Sequence, residues 1–291
     1  MNEPLFEDRV NAHIGQIRRA EKRVARFFLN NREKTLIGSA ASLANQVGTS
    51  DATVIRTVKA LGFSGMEEMR RNLADEMQAN PSPSNRLART LNEVNDELIS
   101  ALDLTLDIHQ KALECLRHEI KPEDFEKAVK YIVNANRAYI FGIGPSSAMA
   151  NYFSIQLERF GIQTVSLTQT GLLLADRLLH LKQGDLMMIF AYGRVYPELV
   201  TILDQAAKHN VSTVLFSDTL GTKLDDQVNL TLSVQRGRTD MLSMHTTTLA
   251  LIEALLVGVA KTQPEKTMAS LKLLNQLRAE VVGKRMDIAA R

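Results

Sequence analysis

A chain of 291 residues, 45% hydrophobic and 23% charged, can bury the cores of two domains, since domains commonly run about 100 to 200 residues. It has no run of about 18 apolar residues and its opening MNEPLFEDRV lacks an apolar signal core, so we expect a cytoplasmic protein. The net charge of +2 lies wholly in the N-terminal part, where residues 1–80 carry 12 Lys and Arg against 10 Asp and Glu, leaving 23 of each beyond; that part suits a nucleic-acid partner.

In chain order, Ile14, Ile17, Val24, Phe27 and Phe28 read as the apolar stripe of a first helix. Arg18, Arg19, Lys22, Arg23 and Arg26 put five basic residues into nine positions of it, as phosphate contacts or as a solvated face. Leu43 to Gly62, LANQVGTSDATVIRTVKALG, spells two short helices and a tight turn. Ala40, Leu43, Ala44 and Val47 fall at helical spacing, Gly48 suits the turn, and Thr49 or Ser50 can cap the second helix. There Val54, Val58 and Leu61 are expected inside. That leaves Ser50, Asp51, Thr53, Arg56, Thr57 and Lys59 as candidate DNA-binding residues, short polar or basic side chains suited to base edges and phosphates.

Ser64 and Glu67 then offer a capping box for an amphipathic helix through Met66, Met69, Leu73 and Met77. Ala79 to Asn85, ANPSPSN, has the composition of a linker. Leu87 to Leu116 reads as one continuous helix, a bridge, a dimer helix or simply core. Cys115, the one cysteine, packs within it and excludes an internal disulfide.

From Pro122 short β-branched or aromatic runs alternate with helices, the pattern of a parallel three-layer sheet. The expected strands are residues 138–141, 164–167, 186–190, 213–216 and 230–234. Helices are expected near 148–160, 172–179, 197–208 and 243–260, with a last one over 267–285. The domains are then 1–79, a helix-turn-helix unit; 80–121, linker and bridging helix; and 122–291, an α/β domain with a five-stranded parallel sheet.

Ligands of an open parallel sheet sit beyond the strands' carboxyl ends. The first such loop, GIGPSS, offers Gly142, Gly144, Ser146 and Ser147 before a helix N-terminus, which suits a phosphate. Ser147 stands where a dinucleotide fingerprint needs its third glycine, and no acidic residue lies between Glu158 and Asp176, so no nicotinamide cofactor is expected. The other loops supply Thr168 and Thr170, then Tyr192 and Arg194, then Ser217, equipment for a sugar phosphate. Glu198 and His245 are the available bases if the chain catalyses, and otherwise serve a helix dipole and a cap. The six histidines form no ligand-spaced cluster, so neither metal nor cofactor is expected.

The segment LANQVGTSDATVIRTVKALGFSGMEEMR, a linker, then FGIGPSSAMANYFSIQLERFG, closely resembles RpiR-type transcriptional regulators over nearly the whole chain. The resemblance implies a helix-turn-helix fused to a SIS (sugar isomerase) domain that senses a phosphorylated sugar or related metabolite. It also implies a homodimer or homotetramer presenting paired helices to a palindromic operator. One loop departs from the pattern: where SIS domains carry Ser-x-Ser-Gly-x-Thr-x-Glu, this chain has FAYGRVYPE, matching only Gly193 and Glu198, one residue further apart. Either Tyr192 and Arg194 replace the lost hydroxyls or the ligand differs. The expected protein is a non-enzymatic repressor of carbohydrate-metabolism genes. Its partners are double-stranded DNA and a small anionic metabolite. A sugar-phosphate isomerase and a SIS regulator of another protein are the alternatives.

Overall fold

The computed structural model describes residues 6–79, 82–238 and 241–282, with side chains except those of residues 33 and 77–79. The first five residues, the Met77 side chain, residues 80 and 81 of the expected linker, and 283–285 of the expected last helix lie outside the described residues. The chain divides into two units, Met1–Arg89 and Thr90–Arg291.

The first unit is helical: α1 (Phe6–Ile14), α2 (Arg19–Asn30), α3 (Arg32–Ile37), α4 (Ala40–Val47), α5 (Asp51–Ala60) and α6 (Met66–Ala79). The stripe expected on one helix is therefore split, Ile14 ending α1 and Ile17 lying in the turn before α2. That turn closes with Arg18 N–H donating to Glu21 Oε2 at 2.9 Å. Phe6, Val10, Val24, Phe28, Leu43, Val54, Val58, Leu61, Phe63, Met69 and Leu73 form one buried cluster. Arg32 pairs with Glu7 and Glu76, tying α1, α3 and α6 across its rim. The capping partner of Ser64 is Glu68 rather than Glu67: Ser64 N–H donates to Glu68 Oε2 at 2.6 Å. Hydrogen bonds from Ser64 first, then Arg9, hold the Glu68 carboxyl down at about 2.

The expected helix 87–116 is two, α7 (Pro83–Glu93), which runs across the division, and α8 (Ile99–Glu119). Between them Asn95 Oδ1 accepts from Glu97 N–H at 2.9 Å and Ser100 Oγ from Asn95 N–H at 3.1 Å. Such short-range bonds give the backbone an alternative to the helix, and the leucine steps on either side masked the break. On α8 Ile108 and Ala112 are buried, whereas Ile99, Leu102, Leu106 and Leu113 are exposed, so much of its apolar stripe is not core of this chain.

The second unit continues α9 (Pro122–Asn134), β1 (Ala138–Gly142), α10 (Ser146–Arg159), β2 (Thr164–Leu167), α11 (Leu172–Leu178), β3 (Leu186–Phe190), α12 (Pro197–Lys208), β4 (Ser212–Ser217), α13 (Gly221–Leu224), β5 (Leu230–Ser233), α14 (Thr246–Thr262) and α15 (Pro264–Val282). The sheet order is β2-β1-β3-β4-β5, every pairing parallel. Alternation along the strands feeds two cores. Ile140, Met188, Phe190, Val214, Phe216 and Leu232 meet α9, α10 and α14, while Tyr139, Phe141, Met187, Ile189 and Leu215 meet α11 and α12. No helix among the described residues is long and apolar enough to cross a membrane.

Candidate functional sites

In the first unit α4 is capped by Ser39, whose Oγ accepts from Ser42 N–H at 3.1 Å, and Gly48 ends it at φ +69°. A side chain there would be strained, so the glycine sets the tight turn. Ser50 caps α5, its Oγ accepting from Thr53 N–H at 3.3 Å. Asp51, Ala52, Ile55, Arg56 and Lys59 are exposed along α5.

Two candidates face the other way. Thr53 and Thr57 are buried, not outward, because steps of four carry 53 to 57 to 61, the side on which Leu61 enters the core. Thr57 Oγ1 donates to Thr53 O at 2.8 Å, and Thr53 Oγ1 sits 2.9 Å from Ser50 Oγ and accepts from Arg56 Nη2 at 3.3 Å. Thr53 therefore positions the cap and the arginine. Ile55, an apolar residue outside the expected DNA-binding set, is 42% exposed in mid-helix. Its signal was an apolar residue one step off the buried spacing. At the start of α2 and along it Arg18, Arg19, Arg23 and Arg26 are exposed, and Lys22 Nζ donates to Gly15 O at 3.2 Å.

In the second unit the candidate ligand residues share the carboxyl edge of the sheet. Gly142 ends β1 where α10 turns back over it: a Cβ would stand 2.5 Å from Ser146 O and 2.8 Å from Ser146 C. Gly144 has φ +58° and open space around it. Ser147 and Ala148 N–H close on Gly144 O and Pro145 O at 3.0 and 3.2 Å, so the helix start offers an anion fewer free donors than expected. Ser146 is buried; Ser147, Thr168 and Thr170 are partly or fully accessible. Beside the latter two, Gln169, Leu173, Asp176 and Arg177 line a cleft of about 430 Å³. Glu198 Oε1 accepts from Gly171 N–H at 3.4 Å, linking the loop after β2 to the first turn of α12, and Arg194 is exposed.

Two of the expected hydroxyls are buried and bonded within the protein. Ser217 is buried, and its Oγ accepts from Leu220 N–H at 2.9 Å, capping its own turn. Tyr192 is buried too, with its hydroxyl 3.0 Å from Thr248 Oγ1 on α14 and its ring 5.6 Å from that of His245. Burial pushes the Tyr192 phenol pKa up. Over the same ring, 4.2 Å from its centre, lies the guanidinium of Arg236, which donates from Nε to Asp218 Oδ2 at 3.1 Å. Arg236, reached only through tertiary structure from the stretch after β5, was not among the sequence candidates. Tyr192 and His245 thus join Asp218, Arg236 and Thr248 in one network. Among the described residues no hydrogen bond links that network to Ser146 or Ser147.

Burial first, and the Arg236 charge second, pull the His245 imidazole from 6.5 down to about 4, so it is neutral at neutral pH. As pH falls from 6.5 toward 4 the unfolded chain takes this proton before the folded one. The stability tied to His245 is therefore complete above 6.5 and lost on the way to about 4. His245→Gln is expected to flatten the decline of the urea midpoint across that window. Superimposable wild-type and variant profiles would contradict it.

Two short helices around a left-handed glycine, followed in the chain by a five-stranded parallel sheet with its polar loops on one edge, define a helix-turn-helix protein with a SIS domain. The chain matches the helix-turn-helix domain of the rpiR family over residues 5–80 and the SIS domain over 131–258. It belongs to the RpiR family of transcriptional regulators. It is 27% identical over 245 residues to bifunctional protein glk of Burkholderia mallei, which covers 83% of this chain but only 37% of that relative. It is 22% identical to the HTH-type transcriptional regulator HexR of Escherichia coli, over 78% of this chain and 76% of HexR. Among solved structures, the sugar isomerase domain of an RpiR transcription factor from Sphaerobacter thermophilus superposes with TM-score 0.54 at 26% identity, covering 60% of this chain and 98% of that one. The Vibrio vulnificus NanR protein, solved in complex with ManNAc-6P, superposes with TM-score 0.55 at 19% identity, over 95% and 97%.

Proposed function

We propose that this chain is a DNA-binding repressor of carbohydrate-metabolism genes, tuned by a phosphorylated sugar or sugar acid held at the carboxyl edge of its sheet. The observation that carries the reading is the exposed face of α5, where a Ser50-capped helix presents Asp51, Arg56 and Lys59. Residues 1–79 read the DNA, 80–121 connect, and 122–291 sense the ligand through Gly142, Gly144, Ser146, Ser147, Thr168, Thr170 and Arg194. The ManNAc-6P bound by NanR supports a sugar phosphate as the ligand class. A sensing rather than catalytic role is supported by the two candidate bases: Glu198 is bonded to the Gly171 amide, and His245 lies beside Thr248 and the Tyr192 ring. Footprinting on the chain's own upstream DNA tests the reading. Protection of an inverted repeat with half-sites one turn apart, about 34 Å, is expected, and sequence-indifferent coating contradicts it.

A symmetric operator needs a symmetric reader. The exposed Ile99, Leu102, Leu106 and Leu113 of α8 supply apolar surface for an interface between copies. Sedimentation of the full chain at micromolar concentration is expected to give a dimer or tetramer; a monomer throughout would defeat this part of the proposal.

A further inference from the structure

The Arg236–Asp218 pair is a charged group at the carboxyl edge of β3, β4 and β5 that the proposed function leaves without a task. Both side chains are well covered, 15% and 19% exposed, yet the guanidinium meets few protein acceptors. Of its five N–H donors only Nε–H meets an acceptor among the described residues. The other four, on Nη1 and Nη2, form the fork that grips a phosphate or carboxylate through two parallel bonds. The Tyr192 ring under the guanidinium, itself pinned by Thr248, holds that fork in place. Asp218 accepts on both oxygens, from Arg236 on Oδ2 and from Thr219 Oγ1, at 3.0 Å, on Oδ1.

The surroundings favour an anion. The first turn of α14 adjoins the network through His245 and Thr248, and its N-cap makes no side-chain capping bond. In that turn Thr247 is 1% exposed, and its hydroxyl has no hydrogen-bond partner among the described residues. Meanwhile Ser217 is buried with its Oγ capping Leu220 N–H, and the Tyr192 hydroxyl is paired with Thr248. The positive charge of Arg236 is the strongest remaining handle on this side of the edge.

We propose that Arg236 is the anion-holding residue of the effector site, that the anion it takes is a phosphate monoester, and that Asp218 is an internal stand-in that the incoming phosphate displaces. The proposal rests on reading the sheet edge as an effector site, and it narrows the ligand from sugar phosphate or sugar acid to the former. A dianionic phosphate offers the fork more charge than a single carboxylate and so competes better against the resident Asp218. Asp218 keeps the guanidinium oriented in the empty site and sets the threshold concentration at which a phosphate enters.

The test is calorimetric titration of the full chain with inorganic phosphate and with glucose 6-phosphate, at constant ionic strength, with glucose and gluconate as controls. Arg236→Gln is expected to weaken phosphate binding about tenfold or more, in keeping with loss of hydrogen bonds to a charged group. Arg236→Lys, which keeps the charge without the fork, should fall between. Asp218→Asn should strengthen binding severalfold by removing the competitor. Circular dichroism and unfolding of each variant without ligand separate lost affinity from lost fold. Equal phosphate affinity in wild type and folded Arg236→Gln overturns the proposal. If Ser146→Ala and Ser147→Ala abolish binding while Arg236→Gln does not, the anion sits at α10, and the effector reading survives while this inference fails. A wild type that binds gluconate but neither phosphate ligand has the same meaning; one that binds no member of the panel overturns the inference and counts against the effector reading as well.

Discussion

Replacing Arg56 by alanine is expected to produce the largest loss of operator affinity of any single change on α5. A bidentate contact to a base edge is worth about 1 to 3 kcal/mol, and a symmetric dimer would lose it at both half-sites. Arg56 is exposed, and among the described residues its side chain bonds only to Thr53 Oγ1, at 3.3 Å within the same helix, so removal leaves the core of the unit intact. Affinity measured with matched and mutated operators at several salt concentrations tells the contact type. A base contact relaxes discrimination at one position, whereas a phosphate contact weakens all sequences alike and lowers the salt slope by about one per site. A folded Arg56→Ala variant with unchanged affinity and salt dependence removes this residue from the interface.

The second large effect is on stability. Gly142→Ala is expected to cost about 2 kcal/mol or more, in the upper part of the range for overpacking, because the new Cβ meets backbone rather than a movable side chain. Ser146 O, 2.5 Å away, belongs to the first residue of α10, so relief requires shifting the start of that helix and with it the whole loop to Ser147. Gly144→Ala makes the useful contrast. Its φ of +58° costs an L-residue about 1 to 2 kcal/mol, but nothing lies within 4 Å of the added carbon. Urea unfolding should therefore rank Gly142→Ala below Gly144→Ala, with the helix shift appearing as weaker ligand binding in the former. A Gly142→Ala variant within about 0.5 kcal/mol of wild type, the range of ordinary surface substitutions, contradicts the close approach.

The sheet was legible because its strands are short runs of β-branched and aromatic residues between helical patterns, and β2 and β3 fall on the expected residues. The α4–turn–α5 unit was legible for an equally local reason, Gly48 and Ser50 each doing one backbone task. What misled was polarity standing in for geometry. Thr53 and Thr57 carry hydroxyls that suggest an outward face, although steps of four put them with Leu61; their hydroxyls are met by Ser50 and the Thr53 carbonyl, so burial is cheap. Ser217 misled in the same way, since a strand-end serine can cap its own turn instead of facing a ligand. The α7–α8 break was hidden between regular leucines. α1 went unread because few apolar residues mark it, although Phe6 and Val10 are fully buried. Arg236 was out of reach in principle: its partner Asp218 and its support Tyr192 lie on neighbouring strands' loops, a proximity that only the strand order creates.

The central claim is that one chain couples a metabolite at the sheet edge to DNA at α5. The most direct measurement is fluorescence anisotropy of the full chain on its own upstream DNA, titrated without and with a saturating panel of sugar phosphates. A change in operator affinity of about 5- to 150-fold with at least one of them is expected, the usual span of coupling between two sites. Specific DNA binding that every sugar phosphate leaves unchanged, or no specific binding at all, would contradict it.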